Sequence, residues 1–249
     1  MSKYILDLSY HNSNVDMKKI KESGIYGVIL RAGYGFNTID KNFYKNIENA
    51  LKNGLHVGVY WFGYAGTVEH AKKEAEYFLS IISKYNGKID LPVFYDWEYD
   101  SFNYVKKTYD IKATKQLVSD MTNAFCTTLE KNGWYAGFYA NIDYLDNYYT
   151  TYIKKRFALW VASWTTTNSY KSQYMMWQFT DSASVNGVTG KVDKSILKDE
   201  TIVDTIKNAG LNGYSKDSKV YNYDVNGDGV VDEKDLKLLQ EYLKSKGVI

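Results

Sequence analysis

Residues 56–100 read HVGVYWFGYAGTVEHAKKEAEYFLSIISKYNGKIDLPVFYDWEYD. The run at 56–65 is β-rich and mostly apolar. The next, EHAKKEAEYFLSIISKY at 69–85, repeats its apolar residues at helical spacing, and LPVFYDWEYD at 91–100 is strand-like again. Strands apolar on both faces suit a parallel sheet covered by helices.

The same alternation extends outward. YILDLS (4–9) precedes the helical VDMKKIKESG (15–24), and YGVILRAGYG (26–35) precedes FYKNIENALKNG (43–54). After residue 100 come TKQLVSDMTNAFCTTLEKNG (114–133) and YAGFYAN (135–141). Gly24, Gly54 and Gly133 stand where helix C-caps fall. The class is therefore α/β, either a barrel or a doubly wound sheet. Beyond about residue 140 the helical component fades. ALWVASW (158–164) and YMMWQFT (174–180) follow closely, then the Gly-rich turn of SVNGVTGKVD (184–193). This predicts a modified (β/α) barrel with helices missing in its second half. No G-x-G-x-x-G follows the first strand and no phosphate loop is present, which disfavours dinucleotide binding.

Of 249 residues, 45% are hydrophobic and 24% charged, as in soluble globular domains. A net charge of +2 without a Lys/Arg cluster gives no footprint for nucleic acid. No apolar stretch is long enough for a membrane span. The start, MSKYILDLSYHNSNVD, lacks the h-region of a signal peptide and reads directly as a strand. The single cysteine, Cys126, lies in a helical apolar stretch with no histidine partner in sequence, so it reads as a buried thiol.

Barrel enzymes carry their chemistry at the C-terminal ends of strands. Polar residues there are Asp7, Arg31, Asp96, Glu98, Asn141 and Gln178. On an extended strand Asp96 and Glu98 project to one side and Trp97 to the other. Two acids in one partly apolar cleft repel and lose solvation, which raises one pKa and leaves the other group ionised. Glycoside hydrolysis uses such a pair. Asp7, at the end of the first strand, and Asp193, after the late turn, are further acids for the same mouth. Four acids could also hold a metal, but the His and Cys ligands of zinc are missing. Among the aromatics near strand ends, Tyr34, Tyr60, Tyr64, Tyr95 and Trp164 are candidate sugar platforms, with Tyr64 and Trp164 foremost.

The ordered strings DLSYHN, RAGYG, YWFGYA, FYDWE, YAGFYAN, WVASW and MWQFT, with a final Asp, resemble glycoside hydrolase family 25, the Chalaropsis-type lysozymes. The resemblance covers about residues 4–200. It implies a muramidase cleaving the β-1,4 bond between N-acetylmuramic acid and N-acetylglucosamine in peptidoglycan. Glu98 would be the general acid and Asp96 its partner at the anomeric centre, with Asp7 and Asp193 completing the cleft. Arg31, Tyr34, Tyr60, Tyr64, Tyr95, Asn141, Trp164 and Gln178 would contact substrate. A cleft that holds wall sugars without cutting them, and a glycosidase for another N-acetylated polymer such as chitin, are the alternatives. A phage lysin released through holin pores, or a secreted autolysin without its export signal, would fit the N-terminus.

Residues 1–206 thus form the catalytic barrel and the polar stretch 207–219 a linker. Residues 220–249 form a second module. There DVNGDGVVDEKD (224–235) matches a calcium loop: Asp224, Asn226, Asp228, the Val230 carbonyl, Asp232 and Asp235 supply oxygen at positions one, three, five, seven, nine and twelve, with Gly229 at the sharp turn. The helix after it is apolar at Leu236, Leu239, Tyr242 and Leu243, and no helical pattern precedes the loop. A loop followed by one helix resembles a dockerin repeat, the module that docks enzymes onto cohesin scaffolds. Dockerins carry two repeats and one is visible here. That leaves a cohesin-like partner, self-association through the repeat of a second chain, or packing on the barrel itself.

Overall fold

A computed structural model of the chain describes residues 2–199, 201–208 and 233–245. The strands are β1 (Lys3–Leu8), β2 (Gly27–Tyr34), β3 (Thr38–Ile39), β4 (His56–Phe62), β5 (Val93–Asp96), β6 (Ala136–Asn141), β7 (Ala158–Ala162), β8 (Met176–Ala183) and β9 (Val192–Leu197). The helices are α1 (Met17–Glu22), α2 (Phe43–Lys52), α3 (Val68–Ile82), α4 (Tyr99–Tyr109), α5 (Lys115–Lys131), α6 (Ile142–Asn147), α7 (Thr151–Arg156), α8 (Ile202–Asn208) and α9 (Glu233–Ser245).

Eight strands close into a barrel in the order β1-β2-β4-β5-β6-β7-β8-β9, and β3 pairs with β2 outside it. The six pairings from β1–β2 to β7–β8 are parallel. β9 runs antiparallel to both neighbours, because the Gly-rich turn makes a hairpin of β8 and β9. Helices are absent between β7 and β8 and between β8 and β9, as expected. Between β6 and β7 the structure instead has the short α6 and α7. Their N-cap side chains, Asn141 and Thr150, accept from the amides of Tyr144 and Ile153. These polar caps start helices too short to show periodicity.

Strand alternation divides the apolar residues into two layers. Leu6, Leu8, Val28, Leu30, Val57, Val59, Trp61, Val93, Tyr95 and Phe138 face the helices. Ile5, Ile29, Tyr60, Phe94, Tyr139, Trp160 and Met176 fill the barrel. Gly137 keeps the interior packable: a Cβ there would meet Phe94 Cε1 at 2.8 Å and the Ala158 carbonyl at 2.5 Å. Gly24, Gly54 and Gly133, just beyond α1, α2 and α5, all have positive φ. Cys126 is buried, donates to the Gly137 carbonyl at 3.3 Å and has its pKa pushed up by burial, so it is held as a thiol.

The N-terminal end of the barrel is stopped by α8. Its Ile202, Val203 and Ile206 are buried in the same interior cluster as Ile5, Ile29, Leu91, Phe94 and Leu197. Helix α8 runs to Asn208, two residues past 206, and Lys207 on it pairs with Asp90 at 3.2 Å. Among the described residues no helix is long and apolar enough to cross a membrane.

Candidate active site

At the opposite, C-terminal end of the strands lies a cleft of about 580 Å³. The parity that fills the barrel with apolar residues below puts Asp7, Arg31, Tyr60, Asp96, Glu98, Tyr139 and Asp193 around this mouth.

β5 ends at Asp96, and Glu98 is the N-cap of α4 with φ −131° and ψ −164°. The expected strand therefore stops two residues early. Ser101 stops it: its Oγ accepts the Glu98 amide at 3.1 Å and starts the helix. The backbone is still extended at Glu98, so both carboxyls reach the cleft. Trp97 between them is fully buried on the other side, its Nε1 donating to the Ala65 carbonyl at 3.0 Å.

Asp96 and Glu98 lie within hydrogen-bond reach of each other. Burial and the neighbouring Glu98 raise the pKa of Asp96 well above the usual carboxylate range. Glu98 is pushed up to about 7, mainly by burial, with Asp100 and Asp193 adding repulsion against the Asp96 hydrogen bond. The pair thus keeps a proton near neutral pH. Asp96 Oδ1 is buried with no partner among the described residues.

Asp7 and Asp193 face each other across the β1–β9 register. Gln178, buried on β8, reaches Asp7 at 3.5 Å and Asp193 at 3.4 Å through Nε2. Its Oε1 accepts from Tyr139 Oη and Trp164 Nε1, both at 2.9 Å. Burial raises Asp7 well above its ordinary value, with Asp193 adding to it and a hydrogen bond from Tyr60 opposing. Asp193 is pushed up to about 6 by burial, then by Asp181.

The flank on β1 and β2 is built around Arg31. Its Nε donates to Asp40 Oδ2 at 2.9 Å, and its guanidinium lies 4.7 Å from the Tyr10 ring and 5.4 Å from the Tyr34 ring. Tyr64 meets Tyr34 edge-on at 6.4 Å. Trp164 is 57% exposed at the β7–β8 flank, so its face is open to a ligand.

Four expected contacts are not among the cleft-lining residues: Gln178 is buried behind Asp7 and Asp193, Trp164 lies exposed beyond the lining, and Tyr95 and Asn141 are turned to other work. Tyr95 is one residue out of phase with Asp96 and points into the outer layer, fully buried, stacked on Phe125 at 4.2 Å with its hydroxyl on Glu74 at 3.2 Å. Alternation along β5 forbids it the cleft. The Asn141 side chain is occupied as the cap of α6 and is not among the cleft-lining residues. Sequence reasoning missed Ser9, Tyr10, His11, Asn12, Phe62, Asp100, Tyr139 and Lys191, which also line the cleft, and Asp40, which anchors Arg31. Tyr139 was within reach, two residues before Asn141 on the same strand face. The β1–α1 loop residues carry no periodic signal.

The calcium-loop residues Asp224, Asn226, Asp228, Val230 and Asp232 lie outside the described residues. Asp235 falls on the α9 backbone.

The sequence profile of the glycosyl hydrolases family 25 matches residues 6–188, and that of the dockerin type I domain matches residues 202–244. The chain belongs to glycosyl hydrolase family 25. It is similar to the autolytic lysozyme of Clostridium acetobutylicum, 28% identical over 193 residues, which are 76% of this chain and 53% of that protein. The chain thus spans about half the length of that curated relative. The crystal structure of the CTP1L endolysin superposes with a TM-score of 0.70 at 28% identity, covering 82% of this chain and 70% of that one. The modular autolysin LytC of Streptococcus pneumoniae, solved in complex with a synthetic peptidoglycan ligand, superposes at 0.70 and 28% identity, covering 78% and 46%.

Proposed function

We propose that the chain is a muramidase hydrolysing the β-1,4 bond between N-acetylmuramic acid and N-acetylglucosamine in bacterial cell-wall peptidoglycan. The observation that carries this reading is the hydrogen-bonded Asp96–Glu98 pair at the barrel mouth, with Glu98 still protonated near pH 7. Family membership and the lysozyme and endolysin relatives support it.

In this reading Glu98 gives its proton to the glycosidic oxygen as the bond to the anomeric carbon breaks. The carbonyl oxygen of the substrate's 2-acetamido group bonds to that carbon. Asp96, which lines the cleft, orients the acetamide by accepting its N–H, and its own proton steadies the Glu98 carboxylate. Water then attacks the anomeric carbon, breaking its bond to the acetamide oxygen, and Glu98 takes a proton from the water. A pair in mutual hydrogen-bond contact leaves no room for a sugar ring between its members. That argues against Asp96 as a base on the opposite face, which needs a separation of about 6.5–9.5 Å. Asp7 and Asp193, held by Gln178, supply negative charge on the far wall. Tyr34, Tyr60, Tyr64 and Trp164 form the sugar-binding surface, with Arg31 as the polar contact and Gln178 holding the acids from behind.

Beyond α8, which ends at Asn208, the residues up to 219 act as a linker and 220–249 as a calcium-binding module. Its donors are all oxygens at calcium-loop spacing, the chemistry that calcium prefers. Bound calcium would order that loop, and the module would carry the enzyme to a cohesin-like partner or to a second copy of itself. The site of action is the bacterial cell wall.

The test is digestion of purified peptidoglycan and of chitin, followed by borohydride reduction and identification of the new ends. Muramitol from peptidoglycan supports the reading. Glucosaminitol from chitin alone assigns another polymer, and no new ends from either assigns a binding protein.

A further inference from the structure

Arg31 brings a buried cation into a cleft walled mainly by acids and tyrosines. It is fixed before any ligand arrives. Asp40, itself buried, holds Nε while accepting from the amides of Tyr10 at 3.0 Å and Asn42 at 2.9 Å. The rings of Tyr10 and Tyr34 lie against the guanidinium. Little rotamer freedom remains to be lost on binding.

Neither terminal nitrogen of Arg31 has a hydrogen-bond acceptor among the described residues, and Nη2 is fully buried without one. An unpaired buried donor costs stability. Nη1, unpaired but not enclosed, is the donor that a ligand can reach, since Nε is held by Asp40 and Nη2 is buried. A fixed, charged N–H donor favours carboxylate or carbonyl oxygen over the hydroxyls of a neutral sugar.

We infer that Arg31 reads the carboxyl-derived oxygen of the 3-O-lactyl group of N-acetylmuramic acid, and so selects glycans carrying that group over those of N-acetylglucosamine alone. The inference rests on the muramidase reading for its substrate class. In the barrel only β4 separates the strand of Arg31 from that of Asp96, and Arg31 lines the same cleft as the acid pair, within the span of a bound disaccharide. The group is a carboxylate on bare glycan and an amide carbonyl where a stem peptide is attached. Lys191, the other cation lining the cleft, is exposed and hydrogen-bonded to Ser184 Oγ at 3.1 Å.

Arg31 also lowers the proton affinity of Asp7 and Asp96 through its charge, and that role alone would predict no sugar discrimination. Arg31→Lys separates the two, because it keeps the charge and removes the fixed N–H donor. Binding is measured by calorimetry in a Glu98→Gln background, which prevents turnover. The ligands are a tetrasaccharide of alternating N-acetylglucosamine and N-acetylmuramic acid, the same glycan bearing stem peptides, and chitotetraose. Glu98→Gln should prefer the muramic-acid ligands. Arg31→Lys should weaken one or both by about tenfold or more, the loss of a charged hydrogen bond, and leave chitotetraose within about twofold. Loss on the free-acid glycan alone assigns the carboxylate, and loss on both adds the amide carbonyl. Arg31→Met combined with Asp40→Asn should give the same pattern without stranding a buried carboxylate. Equal weakening of all three ligands, no change, or no preference to begin with overturns the inference. Failure of the muramidase reading shows separately, as wild-type protein that releases no ends from peptidoglycan.

Discussion

The buried carboxyl of Glu74 on α3 accepts the backbone amide of Tyr64 at 2.7 Å, tying the helix layer to the loop that carries a cleft tyrosine. It also accepts from Tyr95 Oη, and the same loop receives Trp97 Nε1 at the Ala65 carbonyl. Glu74 thus holds from behind the loop that packs beside the acid pair.

Burial pushes Glu74 up to about 8 against its hydrogen bonds. For an acid whose folded pKa exceeds its unfolded value, the unfolded chain releases its proton first. The stability that the neutral form contributes is complete below about pH 4.5 and declines as pH rises toward 8. Glu74→Gln should remove that decline. Thermal melts should show the variant gaining on wild type between pH 5 and 9, at about 2–4 °C in Tm per kcal/mol relieved. A constant Tm difference across that range would contradict the assignment.

The alkaline limb of activity follows from Glu98. As the proposed general acid it needs its proton, so kcat/KM should fall as pH rises through about 7. Asp100 raises the Glu98 pKa by repulsion, so Asp100→Asn should move that limb toward lower pH. A limb unmoved, or moved upward, would assign it to another group.

Much of this site was legible because strand alternation is rigid. One rule put Asp96 and Glu98 on the inner face and Trp97 on the outer, and the barrel obeys it. The same rule excludes Tyr95, whose place near a strand end made it look like a sugar platform. What sequence could not supply was pairing across the chain. Gln178 reaches Asp7 over 171 positions, a contact that exists only once the barrel closes, and Asp40 turns back on Arg31 across the β2–β3 hairpin. Helix α4 escaped notice because its start, Glu98, reads as a continuing strand.

The barrel depends on α8. Cutting the chain after residue 201 removes Ile202, Val203 and Ile206 from the interior, at about 1.5–3 kcal/mol for each fully buried side chain. Its Tm should fall by about 10 °C or more. A cut after residue 208 keeps α8 and should leave the barrel transition in place. Equal melting of the two truncations would show that α8 is dispensable.

Calcium should bind the full chain with one site, read by calorimetry, and protect the C-terminal segment from limited proteolysis. Asp228→Ala removes the ligand at loop position five and should abolish both effects while leaving wall lysis intact. Protection that survives this change would place the ion elsewhere.

The central claim is that Glu98 is the proton donor to the scissile bond. Its most direct test is release of reducing ends from purified peptidoglycan by wild type and Glu98→Gln at pH 6, with circular dichroism as the fold control. The account predicts a fall of about 10³-fold or more in the variant with an unchanged spectrum and melt. Activity within about tenfold of wild type in a folded Glu98→Gln variant would contradict it.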